Sequence, residues 1–247
     1  MGKIALLFAM FFLPTVVFAS VPATQVAPLA PARKEFKKQL LGAPVYLQIF
    51  KEERVLELYG KIGTEYRLLD SYRICNFSGG LGPKRHEGDF KSPEGFYSVG
   101  LSQLKPNSRF YRAINVGFPN EYDRQQGYEG KYLMIHGSCV SIGCYAMTDS
   151  NIDDIYHYVE AALRNGQPQV EVSIYPFRMT DSNLQRHRNS VYYSFWQQLQ
   201  PGYAEFVQNH QPPMMSVMAG RYVLKSALIN GKVASGNGSA LALSETK

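Results

Sequence analysis

Two strand-like runs joined by a short polar turn constrain this chain more than any other feature. Val45-Tyr46-Leu47-Gln48-Ile49-Phe50 and Val55-Leu56-Glu57-Leu58-Tyr59 flank Lys51-Glu52-Glu53-Arg54, which predicts a β-hairpin. An isolated hairpin is marginal in water, so it demands further strands or a covering helix. Tyr66 to Ile74, Phe96 to Val99, Tyr132 to Ile135 and the alternating Val170, Val172 and Ile174 supply the strands. The sequence signals two longer helices. Asn151 to Asn165 carries Ile152, Ile155, Tyr156, Val159 and Leu163 on one face, with Ser150 and Asp153 set as a capping box. Asp181 to Leu199 carries Leu184, Val191, Phe195 and Leu199, and Pro201-Gly202 predicts its end. The fold class expected is mainly β with helices (α+β). With 45% apolar residues the chain can bury a core, and three cysteines without a glycine period exclude disulfide-scaffold and collagenous folds.

The ends read differently from the body. Lys3, an apolar run from Ile4 to Phe18, and small residues up to Ala19 read as a secretory signal peptide, residues 1–19, too short to span a bilayer comfortably, with an uncleaved membrane anchor as the alternative. Residues 20–42 are a Pro/Ala-rich spacer (Pro22, Pro28, Pro31) with a short helix from Lys34 to Leu41. The folded body occupies 43–178, a helical extension 179–229, and a loose Gly/Ser-rich tail 230–247. An exported chain works where disulfides form and nucleotide cofactors are scarce. Its 26 basic residues are scattered among 20 acids, without the concentrated stripe of a nucleic-acid binder.

The chemistry concentrates in Tyr132-Leu-Met-Ile-His136-Gly137-Ser-Cys139-Val-Ser141-Ile-Gly143-Cys144. An apolar strand delivers a His-Gly, and a short loop leads to a Gly-Cys ahead of a helix. A thiol attacks only as thiolate, and a nearby imidazole raises that fraction and later protonates a leaving amine. Gly137 and Gly143 are candidates to bring backbone N–H groups to an oxyanion. Ser141 is placed to steady the Cys144 loop. Taken alone, the residues leave two other readings open: an inert buried Cys144 with a satisfied core His136, and a metal site of His136, Cys139 and Cys144. Cys75 and Cys139 either pair in an oxidising compartment, leaving Cys144 free, or serve as small packing residues. His86, His157, His187 and His210 read as solvated.

His-Gly followed by Ser-x-Gly-Cys, with Lys91-Ser92-Pro93-Glu94-Gly95-Phe96 upstream, resembles the YkuD-type L,D-transpeptidases, exported cysteine enzymes of bacterial peptidoglycan. The resemblance implies a β-sandwich-like catalytic domain, Cys144 as nucleophile, His136 as its base, Gly137 on the oxyanion side, and no cofactor or metal. It implies peptidoglycan peptide stems as partners and a periplasmic location, while the scattered charge argues against nucleic acid and cleavage of the signal would leave no transmembrane anchor. Tyr128, Tyr132 and Tyr145 are candidates to line a groove for the stem, or are ordinary strand aromatics. Three departures stand out: Ile142 where the family has a second His, Ala146 where it has an Arg, and a shortened loop from His136 to Cys144. These features resemble the divergent YafK-like subgroup. That likeness implies hydrolysis of the amide at the L-centre of meso-diaminopimelate that ties Braun's outer-membrane lipoprotein to the wall. The alternatives are a transpeptidase that forms 3→3 crosslinks or attaches lipoprotein, and a non-catalytic wall-binding protein.

Overall fold

The structure, a computed structural model, describes residues 35–225, so the expected signal peptide, most of the expected spacer and the tail expected from Asn230 lie outside it. After a helical turn α1 (35–39) come β1 (Val45–Phe50), β2 (Val55–Ile62), β3 (Glu65–Arg73) and β4 (Gly95–Val99). Next are β5 (Leu104–Ser108), β6 (Tyr111–Asn115), α2 (Glu121–Gln125), β7 (Met134–His136) and β8 (Tyr145–Ala146). The chain continues with α3 (Asp149–Arg164), β9 (Val170–Tyr175), α4 (Asp181–Arg186), α5 (Tyr193–Asn209), and a hairpin of β10 (Met215–Met218) and β11 (Arg221–Leu224). One sheet has the order β3-β2-β1-β9-β4 and the other β5-β6-β7-β8. Both are mixed: β1 and β9 run parallel, as do β7 and β8.

β1 is buried on both faces, and its alternation shows what lies on each. Val45, Leu47 and Ile49 join the main core, which gathers residues of both sheets and Ile152, Ile155, Tyr156, Val159 and Leu163 of α3. On the opposite face, Phe50 packs with Tyr175, Phe177 and Trp196, and Tyr46 with Tyr66 and Phe206. The segment after Met179 therefore covers the second face of the β1 sheet, and it ends in a hairpin as well as containing helices.

Expectation and structure part company in several places. The helix expected over Asp181 to Leu199 is broken between α4 and α5, where His187 stacks on Phe177 at 4.3 Å and bonds Glu52 at 3.1 Å. His187 is thus half-buried instead of solvated, and Val191, expected on the apolar face, is 85% exposed in the break. α5 then runs through Pro201. A proline removes one helical hydrogen bond, but Phe206 beyond it packs at 5.0 Å on Tyr46 and 4.8 Å on Tyr59, which keeps the helix going. Gly202 is a close-approach site: a Cβ there would lie 2.6 Å from the Phe96 ring. α3 starts at Asp149 behind Thr148, and its N-cap makes no side-chain hydrogen bond, so the Ser150–Asp153 capping box is not used.

Lys51, the first residue of the polar turn, has no exposure at all. Its ammonium donates to Glu94 Oε1 at 2.8 Å and to the carbonyls of Gly82 and Ser92, both at 3.0 Å. Glu94 also accepts from the Gly82 N–H at 2.7 Å and from Trp196 Nε1 at 2.8 Å. One buried ion pair thus ties β1, the loop at Gly82, the segment before β4 and α5 together. Replacing Glu94 leaves a buried cation without its counter-charge, a change that costs about 3–5 kcal/mol. Glu94→Gln should lower the free energy of urea unfolding by roughly that amount, whereas Glu87→Gln on an exposed loop should change it by under about 0.5 kcal/mol.

Candidate active site

β7 sits between β6 and β8, with Ile135 opposite Tyr145 and His136 opposite Ala146. Side chains alternate along strands, so Ile135 and Tyr145 point into the core. His136 and Cys144, the latter one residue before β8, emerge on the other face and line the same cleft, of about 530 Å³.

Each member is held in place. His136 is 2% exposed, and its ring stacks on Phe110 at 4.7 Å and 28°. Its Nδ1 lies 2.5 Å from the carbonyl of Gly137. A carbonyl only accepts, so Nδ1 carries the proton and Nε2 keeps its lone pair for a substrate-side proton. Gly137 is required by crowding: a Cβ there would lie 2.5 Å from Asp149 Oδ1 and 2.6 Å from the Phe110 carbonyl. Its N–H donates to the carbonyls of Phe110 and Arg112, both at 3.1 Å, so it is not presented to an oxyanion. Gly137 acts through its carbonyl, which orients His136.

Cys144 is half-buried, and its thiol lies 3.6 Å from the carbonyl of Tyr132. The carbonyl of Cys144 accepts from Ser141 Oγ at 2.7 Å and from Ser92 Oγ at 3.3 Å. Ser141 Oγ also receives the Gly143 N–H at 3.2 Å. Gly143 has φ +133°, in a region that favours glycine. Cys75 and Cys139 form a disulfide, with Cα atoms 5.4 Å apart, which fastens the loop between His136 and Cys144 to the end of β3. That bond removes Cys139 as a ligand, and the three-ligand metal reading goes with it. Among the described residues no group of three or more His, Cys, Asp or Glu could hold a metal ion.

The electrostatics describe a neutral pair. Burial pushes the Cys144 thiol up, opposed by a backbone hydrogen bond with Met134 and by the positive field of Lys84. Burial pushes His136 down, opposed by its bond to Gly137. Around neutral pH the pair therefore rests as thiol and imidazole, with the imidazole able to take a proton as the sulfur attacks.

The tyrosine candidates separate. Tyr132 borders the cleft and is 63% exposed, with φ 57°. Tyr145 is buried, and its hydroxyl donates to the Pro93 carbonyl at 2.6 Å. Tyr128 packs against Tyr122 at 6.4 Å, away from the cleft. Phe110 and Ser92 also belong to the site, by the ring stacked on His136 and the hydroxyl on the Cys144 carbonyl. Ser92 lies inside the Lys91-Ser92-Pro93-Glu94-Gly95-Phe96 motif, whereas nothing local in the sequence marks Phe110.

Residues 44–174 match YkuD, the L,D-transpeptidase catalytic domain. The chain belongs to the L,D-transpeptidase family. Its similarity to YafK of Escherichia coli strain K12, assigned by name to the L,D-transpeptidases, is 61% identity over 228 residues, 92% of either chain. A point mutant of the helical cell shape determining protein Pgp2 of Campylobacter jejuni aligns at 20% identity and TM-score 0.45, over 70% of this chain and 61% of that one. Bd1075 of Bdellovibrio bacteriovorus aligns at 16% identity and TM-score 0.38, over 67% of this chain and 56% of that one. In this L,D-transpeptidase domain Ile142 is 79% exposed at the cleft, and Ala146 is fully buried in β8.

Two outcomes test the site. Alkylation of Cys144 by iodoacetamide should rise with pH along a curve centred above the ordinary thiol value of ~8.5, and the acid limb of kcat/KM should fall below the ordinary imidazole value of ~6.5. Gly137→Ala, by forcing the His136 backbone off Phe110, should lower kcat by at least roughly a hundredfold, the scale on which a misplaced group costs rate.

Proposed function

We propose that the chain is a periplasmic cysteine amidase of the wall that hydrolyses the bond between peptidoglycan and Braun's lipoprotein at the L-centre of meso-diaminopimelate. The observation that carries this reading is the placement of a free Cys144 and a Nδ1-protonated His136 on one face of adjacent parallel strands, in an open cleft. The signal-peptide pattern of residues 1–19 in the sequence supports the location. Among the described residues no helix is long and apolar enough to cross a membrane.

As Cys144 Sγ attacks the amide carbonyl carbon, His136 Nε2 takes the thiol proton. The backbone N–H of Cys144 has no hydrogen bond among the described residues and is the donor offered to the developing oxyanion. The C–N bond breaks, His136 gives its proton to the leaving lysine amine, and the stem is held as a thioester. Water then attacks with His136 as base, releasing the free carboxylate and the thiol. No cofactor or metal enters the sequence.

Hydrolysis is favoured over transfer because an acceptor amine has little to bind it. The loop is short, Ile142 presents an apolar side chain where a polar one would grip an amine, and Ala146 offers nothing to the cleft. Incubation with lipoprotein-bearing sacculi should release lipoprotein ending in a free lysine side chain. Cys144→Ala should abolish release, and His136→Ala should reduce it by at least roughly a hundredfold. New 3→3 crosslinks or newly attached lipoprotein would establish the transpeptidase, and full activity of Cys144→Ala would remove the catalytic role of the thiol.

A further inference from the structure

The cleft carries more positive than negative side chains: Lys84, Arg109 and Lys131 line it against one acid, Glu87. Lys84 is already matched, with its ammonium 2.8 Å from Asp89 Oδ1 and 3.0 Å from the His86 carbonyl. Asp89 stays ionised: burial acts to raise its carboxyl, but the N–H groups of Arg85, Lys91 and His86 and the Lys84 ammonium hold it at about 2. Arg109 and Lys131 have no anionic partner among the described residues.

Arg109 is also placed. Its guanidinium lies 4.9 Å over the Phe110 ring, and that ring stacks at 4.7 Å on His136, so cation, phenyl and imidazole form one stack. The ring that fixes the imidazole therefore also fixes the guanidinium, in the turn between β5 and β6. Lys131 approaches from the segment ahead of β7, next to Tyr132, whose carbonyl meets the Cys144 thiol. A planar fork and a mobile point charge beside a reacting centre are suited to grip a carboxylate.

We propose that Arg109 and Lys131 form an anion subsite that binds a carboxylate of the substrate and selects it over the corresponding amide. The proposal rests on the wall-peptide reading of the cleft but not on the fate of the acyl group. A substrate anchored there is oriented before Cys144 attacks, so the subsite acts on both affinity and kcat/KM.

The test uses the Cys144→Ala protein and two synthetic peptides in which L-alanyl-γ-D-glutamyl-meso-diaminopimelate is joined through its L-centre carbonyl to the side-chain amine of lysine amide, one with the glutamyl and diaminopimelyl carboxylates free (the acid) and one with both amidated (the amide). By calorimetry the acid should bind roughly tenfold to a hundredfold more tightly than the amide, the range of a charge-assisted hydrogen bond. Adding Arg109→Ala and Lys131→Ala should erase that difference and leave the amide's affinity unchanged. Equal binding of acid and amide, a preference that survives the double substitution, or no binding of either peptide would overturn the subsite. If wild-type protein failed to turn over the acid while the binding difference held, the catalytic reading would fall and the subsite would stand.

Discussion

A lysine and a glutamate with no contact with water hold the two faces of this molecule in register. Removing two charges from solvent is costly, and the arrangement is tolerated because all three ammonium protons and both carboxylate oxygens are hydrogen-bonded, through Gly82, Ser92 and Trp196 besides each other. The consequence reaches the active site directly. Lys51 grips the Ser92 carbonyl, while Ser92 Oγ and the neighbouring Pro93 carbonyl contact Cys144 and Tyr145. The segment C-terminal to Met179 is thus part of the support for the thiol, since Trp196 on α5 completes the glutamate's shell.

The site then works by restraint. Stacking on Phe110 and the bond to Gly137 leave His136 one tautomer and a single free nitrogen. The disulfide, the Ser141 hydroxyl and Gly143 hold Cys144 from the loop side, and the Ser92 hydroxyl holds it from the segment before β4. Burial favours the uncharged form of both groups, the thiol of Cys144 and the imidazole of His136.

Much of this was legible in the residues. The hairpin of β1 and β2, the buried face of α3 and the convergence of His136 with Cys144 follow from periodicity and from motifs read together. What escaped did so for physical reasons. β5 contains Pro106, tolerated because β5 lies at a sheet edge, but it erases the strand pattern. Lys51 looks like a solvated turn residue, and only the distant Glu94 makes its burial possible. The break before α5 and its passage through Pro201 depend on His187, Phe206 and Gly202 meeting residues far away in sequence. Gly137 reads as a candidate oxyanion donor until its neighbours Phe110 and Arg112 are seen to occupy its N–H.

The central claim is that Cys144 becomes acylated. Intact-mass analysis of protein acid-quenched during turnover of L-alanyl-γ-D-glutamyl-meso-diaminopimelate joined through its L-centre carbonyl to the side-chain amine of lysine tests it most directly. The account predicts an adduct equal to the tripeptide acyl group, mapped to Cys144 and absent from Cys144→Ala. Steady release of lysine by the Cys144→Ala protein, or an adduct on another residue, would contradict it.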